Sequence, residues 1–315
     1  MTELIAMRGL PGSGKTTRAR RIAAATGAVV VGRDFERFQM FGEWWTGGKP
    51  EHEDAVTVAL NAKVRALLKA NQSVVVDNTH IRLGYLKDWA KVASECGATF
   101  RIEDVKTDVE ECIRRDNDRF HNFGGDRASL GGDRLVGEQA IRRMASRIDW
   151  RMPKPVAPIE IEPVDHKVAE ELMLPGAILV DIDGTLAHMT GRSPYDYSRV
   201  GEDMVDFAVR GIVQDYEELG YDIIVCSGRD DECRTMTVAW LLANDIPFHK
   251  LLMRPTDAKD ANGNKLPDWI VKYNLFNENV RGKYDVAFVL DDRNQVVDMW
   301  RKLGLKCLQV APGDF

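Results

Sequence analysis

Residues 4–20 read LIAMRGLPGSGKTTRAR. A short apolar run, Leu4–Met7, gives way to Gly9-Leu10-Pro11-Gly12-Ser13-Gly14-Lys15-Thr16, and a helix-compatible stretch starts at Lys15. Those eight residues fit G-x-x-x-x-G-K-[ST] in full. A strand, a glycine loop and a helix in that order close backbone N–H groups around phosphate oxygens, and the helix N-terminus adds its positive end. Gly12, Ser13, Gly14, Lys15, Thr16 and Thr17 are therefore the expected nucleotide contacts. Lys15 would reach the β- and γ-phosphates, and the Thr16 hydroxyl would sit on Mg²⁺. A glycine-rich turn with a chance lysine is the alternative, and the complete pattern in this setting argues against it. The motif implies ATP or another nucleoside triphosphate; it leaves the acceptor open.

A second stretch, ILVDIDGTLA at 178–187, points to the opposite chemistry. A buried-type strand ends in Asp181-Ile182-Asp183-Gly184-Thr185, and residues two apart on a strand share a face. One carboxylate can attack phosphorus while the other protonates the leaving oxygen, with Mg²⁺ screening their repulsion. Three further pieces follow in order. IIVCSGR ends a strand with Ser227, Gly228 and Arg229, suited to phosphate oxygens. PDWIVK offers Lys272, and VAFVLDDR ends a strand with Asp291 and Asp292, suited to Mg²⁺. Any one piece means little; four in order, each at a strand end or on a following helix, form a pattern.

Between and around these motifs the chain alternates short β-branched runs with amphipathic segments, the signature of parallel-sheet α/β domains. VVVGRDF, SVVVDNT and TFRIEDV belong to the first half, with helix-like stretches at 53–70 and 107–118. AILVDIDGT, DIIVCSGR, KLLMR, VAFVLDDR and KCLQVAP belong to the second. MPKPVAPIEIEPV at 152–164 carries four prolines and no helical period, so it reads as an extended linker. The division expected is a kinase-type domain over 1–151, a linker over 152–175 and a phosphatase-type domain over 176–315. A length of 315 residues allows two domains with a core each.

With 44% apolar and 29% charged residues, the composition is that of a globular chain. No apolar run approaches the ~20 residues of a membrane span, and MTELIAMRG lacks a secretory pattern. The five cysteines are scattered and odd in number, which reads as reduced thiols in a cytoplasmic setting. The net charge of −6 is unevenly divided. Residues 1–152 hold 25 Lys and Arg against 21 Asp and Glu; residues 153–315 hold 18 against 28. Nine arginines lie within 114–151, so a basic groove for a polyanion is compatible with an acidic protein, as is an ordinary solvated helix face.

The acceptor side must be read at the ends of the other strands, where open α/β sheets hold ligands. Asp34 and Arg37 follow Val29–Val31: the carboxylate could take a proton from an attacking hydroxyl and the arginine could hold a phosphate, while a capping Asp with a solvated Arg is an equal rival. Asp77, Asn78 and Thr79 follow another buried strand, with Asp77 suited to a Mg²⁺ water shell or, again, to a cap. Arg115 and Arg119 lie one helical turn apart, before the four-glycine stretch HNFGGDRASLGGD at 121–133. A glycine-rich lid carrying arginines over the γ-phosphate is a device of small phosphate-loop kinases.

The order D-x-D-G-T, Ser, Lys, Asp-Asp makes the second half resemble the haloacid-dehalogenase-type phosphohydrolases. The whole chain, through DDRNQVVDMWRKLG and the final GDF, resembles the bifunctional polynucleotide 5′-kinase/3′-phosphatases of T-even-type phages. The resemblance implies two α/β parallel-sheet domains, a P-loop kinase followed by a haloacid-dehalogenase-like phosphatase. It also implies an end-healing activity: ATP γ-phosphate placed on 5′-hydroxyl ends, and 3′-phosphate, with 2′,3′-cyclic phosphate a further candidate, removed. It makes Asp34 general base, Arg37 the contact to the terminal nucleotide's 3′-phosphate, and Arg119 the clamp on the phosphoryl group, with Arg115 beside it among the ATP contacts. In the other half Asp181 is the nucleophile and Asp183 the acid/base. Arg192 (in GRSPYD) and Arg229 hold substrate phosphate, and Asp268 and Lys272 form the third motif. By the same reading Asp181, Asp183, Asp268, Asp291 and Asp292 surround the metal. The partners implied are DNA or RNA ends and, downstream, a polynucleotide ligase; homo-oligomer formation is compatible with this. Residues 120–135 and TDAKDANGNKL at 256–266 depart from the family pattern, so DNA-versus-RNA preference stays open. Two rivals predict different behaviour: a small-molecule kinase fused to a metabolite phosphatase, and a non-catalytic nucleotide-binding scaffold.

Overall fold

The computed structural model describes residues 2–44, 48–122, 135–165, 173–193 and 196–313, with the side chains of 120–122 not described. Two compact units divide the chain, one of residues 1–160 with 260–264 and one of 161–259 with 265–315.

The first unit is built on four parallel strands, β1 (Glu3–Arg8), β2 (Val29–Val31), β3 (Val74–Val76) and β4 (Thr99–Asp104), in the order β2-β3-β1-β4. Leu4, Ile5 and Ala6 register with Val74, Val75 and Val76, all fully buried, as a strand covered on both faces requires. Helices α1 (Lys15–Thr26), α2 (Arg33–Phe41), α3 (Pro50–Lys69), α4 (Leu83–Glu95), α5 (Val109–Asn122) and α6 (Glu138–Ala145) complete it. Side chains alternate across β1. Leu4 and Ala6 meet Leu60, Val64 and Leu68 of α3 and Leu86, Trp89 and Val92 of α4. Ile5 and Met7 meet Ala19 of α1. A separate small core joins Leu10 of the glycine loop to Cys112 and Ile113 of α5 and Ile141 of α6.

The second unit has five parallel strands, β5 (Gly176–Val180), β8 (Asp222–Asp230), β9 (Lys250–Arg254), β10 (Asp285–Asp291) and β11 (Cys307–Gln309), in the order β11-β10-β5-β8-β9. A short antiparallel pair, β6 (Ala187–His188) and β7 (Met204–Val205), follows β5. Its helices are α7 (Phe207–Glu218), α8 (Arg234–Ala243), α9 (Asp268–Asn279) and α10 (Asn294–Lys302). Ile178, Val180, Ile223 and Val225 pack with Val209 and Val213 of α7 and Trp240 and Leu241 of α8. α9 packs on β8 and β9, and its Phe276 meets Trp300 of α10 edge to face.

The proline-rich stretch 148–165 contains neither helix nor strand. In the first unit, Ser94 Oγ of α4 donates to the Ala157 carbonyl and Ile159 N–H to the Ser94 carbonyl. In the second, Arg281 donates to the carbonyls of Glu162 and Pro163. Among the described residues no helix is long and apolar enough to cross a membrane.

Candidate active sites

In the first unit β1 delivers the chain into the glycine loop. Gly12 and Gly14 take left-handed backbone, φ 77° and 97°. A Cβ on Gly12 would stand 2.3 Å from the Cys112 carbonyl oxygen, so only glycine fits there. α1 begins at Lys15 with no acidic residue in its first turn and no side-chain cap, which leaves its N-terminal N–H groups and dipole for an anion. Lys15 is buried, and its Nζ donates to the Leu10 carbonyl at 2.6 Å. Burial lowers its pKa to about 8, against the pull of Asp77 and Asp34. Asp77, just past β3, is pushed up by burial and opposed by a hydrogen bond from Thr16 and the charge of Lys15. Lys15, Thr16, Asp34, Asp77 and Arg119 thus lie within one electrostatic neighbourhood.

The acceptor residues are more entangled than their sequence suggests. Asp34 is exposed on α2 and pairs with Arg37 one turn on. Arg37 is buried and held bidentately by Glu53 of α3, at 2.7 and 2.8 Å, and Glu53 also binds Arg33 at 2.6 Å. Those guanidiniums hold the Glu53 carboxyl down at about 2. Nothing near Glu53 in sequence marks it; only the α2–α3 packing brings it in. Asn78 and Thr79, expected as substrate contacts, each lend one oxygen to the fold. Asn78 Oδ1 accepts the Arg33 N–H at the start of α2, and the Thr79 carbonyl accepts the Gly9 N–H. Thr17 is exposed on the first turn of α1. Arg115 pairs with Glu111 at 2.6 Å, and a Cβ on Gly14 would stand 3.8 Å from its Nη1, so this guanidinium reaches the glycine loop. Most of the expected lid over 120–135 lies outside the described residues.

The second unit assembles its charges in two groups. In the first, Lys272 Nζ of α9 sits 2.9 Å from Asp181 Oδ1 and 2.9 Å from Asp291 Oδ2. Asp181, Asp291 and Asp292 bring carboxylate oxygens within 4.8 Å of one another, all buried. Burial pushes Asp181 upward against the pull of Lys272, and burial with the neighbouring Asp291 carries Asp292 to about 6. Burial works against the charge of Lys272, but Asp181, Asp291 and Asp268 outweigh it and hold its pKa up. Three buried carboxylates beside one ammonium leave negative charge over, and their hard oxygen donors fit a Mg²⁺ ion. Gly184, at φ 83°, allows this crowding: a Cβ there would meet Asp292 Oδ2 at 2.1 Å.

The second group is a square of two carboxylates and two guanidiniums. Arg229 holds Asp183 at 2.8 and 2.7 Å and Asp203 at 2.8 Å. Arg192 holds Asp203 at 2.7 and 2.6 Å and Asp183 at 3.1 Å. Asp203 carries no motif and escapes sequence reading. The two carboxylates of D-x-D-G-T therefore leave one strand end for different surroundings, ammonium and carboxylates for Asp181, guanidiniums for Asp183. Of the five aspartates expected around the metal, three bring their carboxylates together and two do not. The Asp183 carboxylate is outside the three-carboxylate cluster because Arg192 and Arg229 draw it away. The Asp268 carboxylate is outside it as well, drawn to Arg254 at 3.3 Å, Arg293 at 3.5 Å and Lys272 at 3.9 Å. Gly228 makes room for it, since a Cβ there would stand 2.0 Å from Asp268 Oδ1. Ser227 is fully buried, and its Oγ accepts the Arg229 N–H at 3.2 Å.

Both sites hold buried polar atoms with no partner among the described residues: Ser13 Oγ and Arg119 Nε in one, Thr185 Oγ1 and Arg229 Nη1 in the other. Such atoms are rare in folded proteins. All four can donate to phosphate oxygens, Arg119 Nε and Arg229 Nη1 from a cation.

Residues 175–315 match the family of the polynucleotide kinase PNKP phosphatase domain, and residues 4–148 match the AAA domain family. In the solved structure of a Pnkp1/Rnl/Hen1 RNA repair complex, one chain is 34% identical to this one over all of it and 97% of that chain, with a TM-score of 0.46. The chain belongs to the polynucleotide kinase-phosphatase family. That assignment rests on sequence, the superposition contributing nothing to it. A second solved structure, of a Pnkp1/Rnl/Hen1 complex, gives 32% identity over all of this chain. A putative bifunctional polynucleotide kinase/RNA ligase of Autographa californica nuclear polyhedrosis virus is 26% identical over 313 residues. The chain spans 41% of the length of that relative. An N-terminal nucleotide-binding domain of the AAA type thus precedes a haloacid-dehalogenase-type phosphatase domain, both α/β with parallel sheets. The viral relative is from a baculovirus, so family membership carries no assignment to phages.

Proposed function

We propose that this protein heals broken nucleic-acid ends, phosphorylating 5′-hydroxyls with ATP and removing 3′-phosphates. The observation that carries the reading is the presence in one family chain of two phosphate sites of opposite design. One has a loop of backbone donors and a lysine for a triphosphate; the other has a buried carboxylate poised as a nucleophile. Ligation needs a 5′-phosphate and a 3′-hydroxyl, and a chain that adds at one end and removes at the other supplies both.

In the kinase, Asp34 accepts the proton of the 5′-hydroxyl as its oxygen bonds to the γ-phosphorus and the bond to ADP breaks. Lys15, Arg115 and Arg119 balance the charge that develops, and Arg37, oriented by Glu53, faces the acceptor nucleotide. Thr16 and Asp77 would hold Mg²⁺ with the nucleotide. In the phosphatase, an Asp181 oxygen bonds to phosphorus, the bond to the 3′-oxygen breaks, and Asp183 gives that oxygen its proton. Asp183, now a carboxylate, takes a proton from water, whose oxygen attacks phosphorus, releases phosphate and restores Asp181. Lys272 fixes the attacking carboxylate, and Arg192, Ser227, Gly228 and Arg229 receive the phosphate oxygens. Mg²⁺ at Asp181, Asp291 and Asp292 would screen the nucleophile's charge from that of the phosphate.

The relatives' names join a kinase to an RNA ligase and to an RNA repair complex; by extension, RNA ends in the cytoplasm are this protein's substrate and an RNA ligase acts after it. The test is transfer of labelled γ-phosphate to 5′-hydroxyl RNA and DNA oligonucleotides beside a panel of small hydroxyl compounds, with phosphate release from 3′-phosphate and 2′,3′-cyclic ends. Transfer to small molecules but to no oligonucleotide would replace this reading with that of a metabolite kinase.

A further inference from the structure

Asp116, on α5, is a carboxylate with 1% exposure in a family site whose sequence motif does not include it. Its Oδ1 accepts from Arg119 Nη2 at 2.6 Å. Its Oδ2 accepts from two successive backbone N–H groups, Val136 and Gly137, at 2.9 Å each, where the chain enters α6. Gly137 takes φ 85°, a left-handed backbone that suits glycine, directly before that helix. The neighbouring arginine offers a contrast: Arg115 pairs with Glu111, and both partners are partly exposed. Exposed one-turn pairs of that kind fix little. A buried carboxylate, by contrast, must be matched by donors, and here one guanidinium N–H and two amides do so. α5 and α6 meet over Cys112, Ile113 and Ile141, the same small core that seats Leu10 of the phosphate loop. Asp116 thus ties Arg119 to the framework that holds the loop.

We propose that Asp116 is a positioning residue for phosphoryl transfer. It holds Arg119 by Nη2 and so directs the rest of the guanidinium toward the phosphates bound at Lys15. The inference rests on the kinase reading above and names the residue through which Arg119 acts. Asp116 itself touches no reacting atom.

The test is a double-mutant cycle in the full-length chain, using Asp116→Asn, which keeps the shape, Asp116→Ala, Arg119→Ala and both combinations. Asp116→Asn is expected to lower kcat for 5′-phosphorylation by roughly tenfold to a hundredfold, the range of coupling between contacting residues, with KM for the oligonucleotide unchanged. In the Arg119→Ala background the same change should cost less than about twofold, since no guanidinium remains to be placed. A residue that only stabilises α5 against α6 would lower activity by the same factor in both backgrounds, and that result overturns the proposal, as does an unchanged kcat in Asp116→Asn. ATP affinity, read by calorimetry across the same five variants, keeps the two readings apart. If the wild type phosphorylates no 5′-hydroxyl end, the proposed function fails, while non-additive ATP affinities still uphold the Asp116–Arg119 link and additive ones reject it.

Discussion

The two sites treat their cations in different ways. In the phosphatase unit Lys272, Arg192 and Arg229 have side chains no more than 1% exposed, and each already lies against two or more carboxylates. In the kinase unit Lys15 donates to a backbone carbonyl, and Arg115 and Arg119 stand at 46% and 38% exposure on the last turns of α5. The phosphatase site is therefore built before its substrate arrives, and its electrostatics belong to the fold. Arg37 is likewise buried against carboxylates, but Lys15 meets a backbone carbonyl and Arg115 and Arg119 keep part of their surface in solvent, so a nucleotide would complete this site's electrostatics. The physical consequence is that substitution of Lys272, Arg192 or Arg229 should cost stability along with activity, while substitution of Lys15 should cost activity alone.

The largest effects come from the reacting groups. Asp181→Asn is expected to abolish 3′-phosphatase activity, because a carboxamide keeps the shape and offers a far poorer nucleophile, while 5′-kinase activity survives. Lys15→Ala should do the reverse, removing a charge placed where the transition state needs it. Loss of both activities in either folded variant would break the two-site description. Acid quench of a single turnover on a substrate with a ³²P-labelled 3′-phosphate checks the covalent step: label held on the wild-type chain and absent from Asp181→Asn supports it, and no label on the chain at any time during turnover excludes it. Next in size, Asp34→Asn should lower kinase kcat by ~10²–10⁴-fold with ATP binding intact, the reach of general-base catalysis. Unchanged turnover would return Asp34 to a purely ionic role beside Arg37.

The comparison itself is sharpened by two lysines. Lys272→Met leaves Asp181 and Asp291 buried with their ammonium gone, and removing one partner of a buried pair typically costs about 3–5 kcal/mol. Lys15→Met removes an ammonium that burial already disfavours, so its cost should be within about 1 kcal/mol or negative. Urea unfolding of the full chain, followed by tryptophan fluorescence with the unaltered unit's activity marking that unit's own transition, measures both. Equal losses would erase the distinction between a site built by the fold and one completed by its nucleotide.

How far each site can be read from sequence follows the same division. The strands were legible because runs such as Val74–Val76 and Ile178–Val180 are buried on both faces and leave no polar alternation. The candidate reacting residues Lys15, Asp34 and Asp181 could be picked out because each stands a few residues past the end of a strand. What could not be read are groups that act across the fold: Glu53 beneath Arg37, Asp203 between two arginines, Asp116 behind Arg119 and Arg254 on Asp268. Each is an ordinary charged residue with no local pattern, and its partner lies three to 26 residues away on a turn of helix or another element. Asn78 and Thr79 show a structural duty that the sequence does not mark. Their place after a strand suggested ligand contacts, and the same place puts them beside the N–H groups of α2 and the glycine loop, to each of which one oxygen is lent.

The effect most confined in pH concerns how the first unit supports its loop. His80 is buried directly beneath the end of β1. Its Nδ1 meets the Met7 carbonyl at 2.6 Å and its Nε2 accepts the Trp89 N–H at 2.9 Å, so the neutral ring with a proton on Nδ1 satisfies every partner. A second proton, on Nε2, would collide with the Trp89 donor. Burial lowers the pKa to about 4; the Met7 carbonyl opposes this, and the charges of Lys15 and Arg8 reinforce it. Unfolded, the ring titrates near its ordinary value of about 6.5. The unfolded chain therefore takes up the proton first as pH falls. The stability due to neutral His80 is whole above pH 6.5, declines between 6.5 and 4, and is gone below. About 2.5 units of separation correspond to roughly 3 kcal/mol at most. Full-length wild type and His80→Gln should be unfolded in urea from pH 7.5 to 4.5, with ATP binding reporting the first unit. Their difference in stability should shrink as pH falls. A difference constant with pH would mean that His80 contributes shape and hydrogen bonds but no proton linkage.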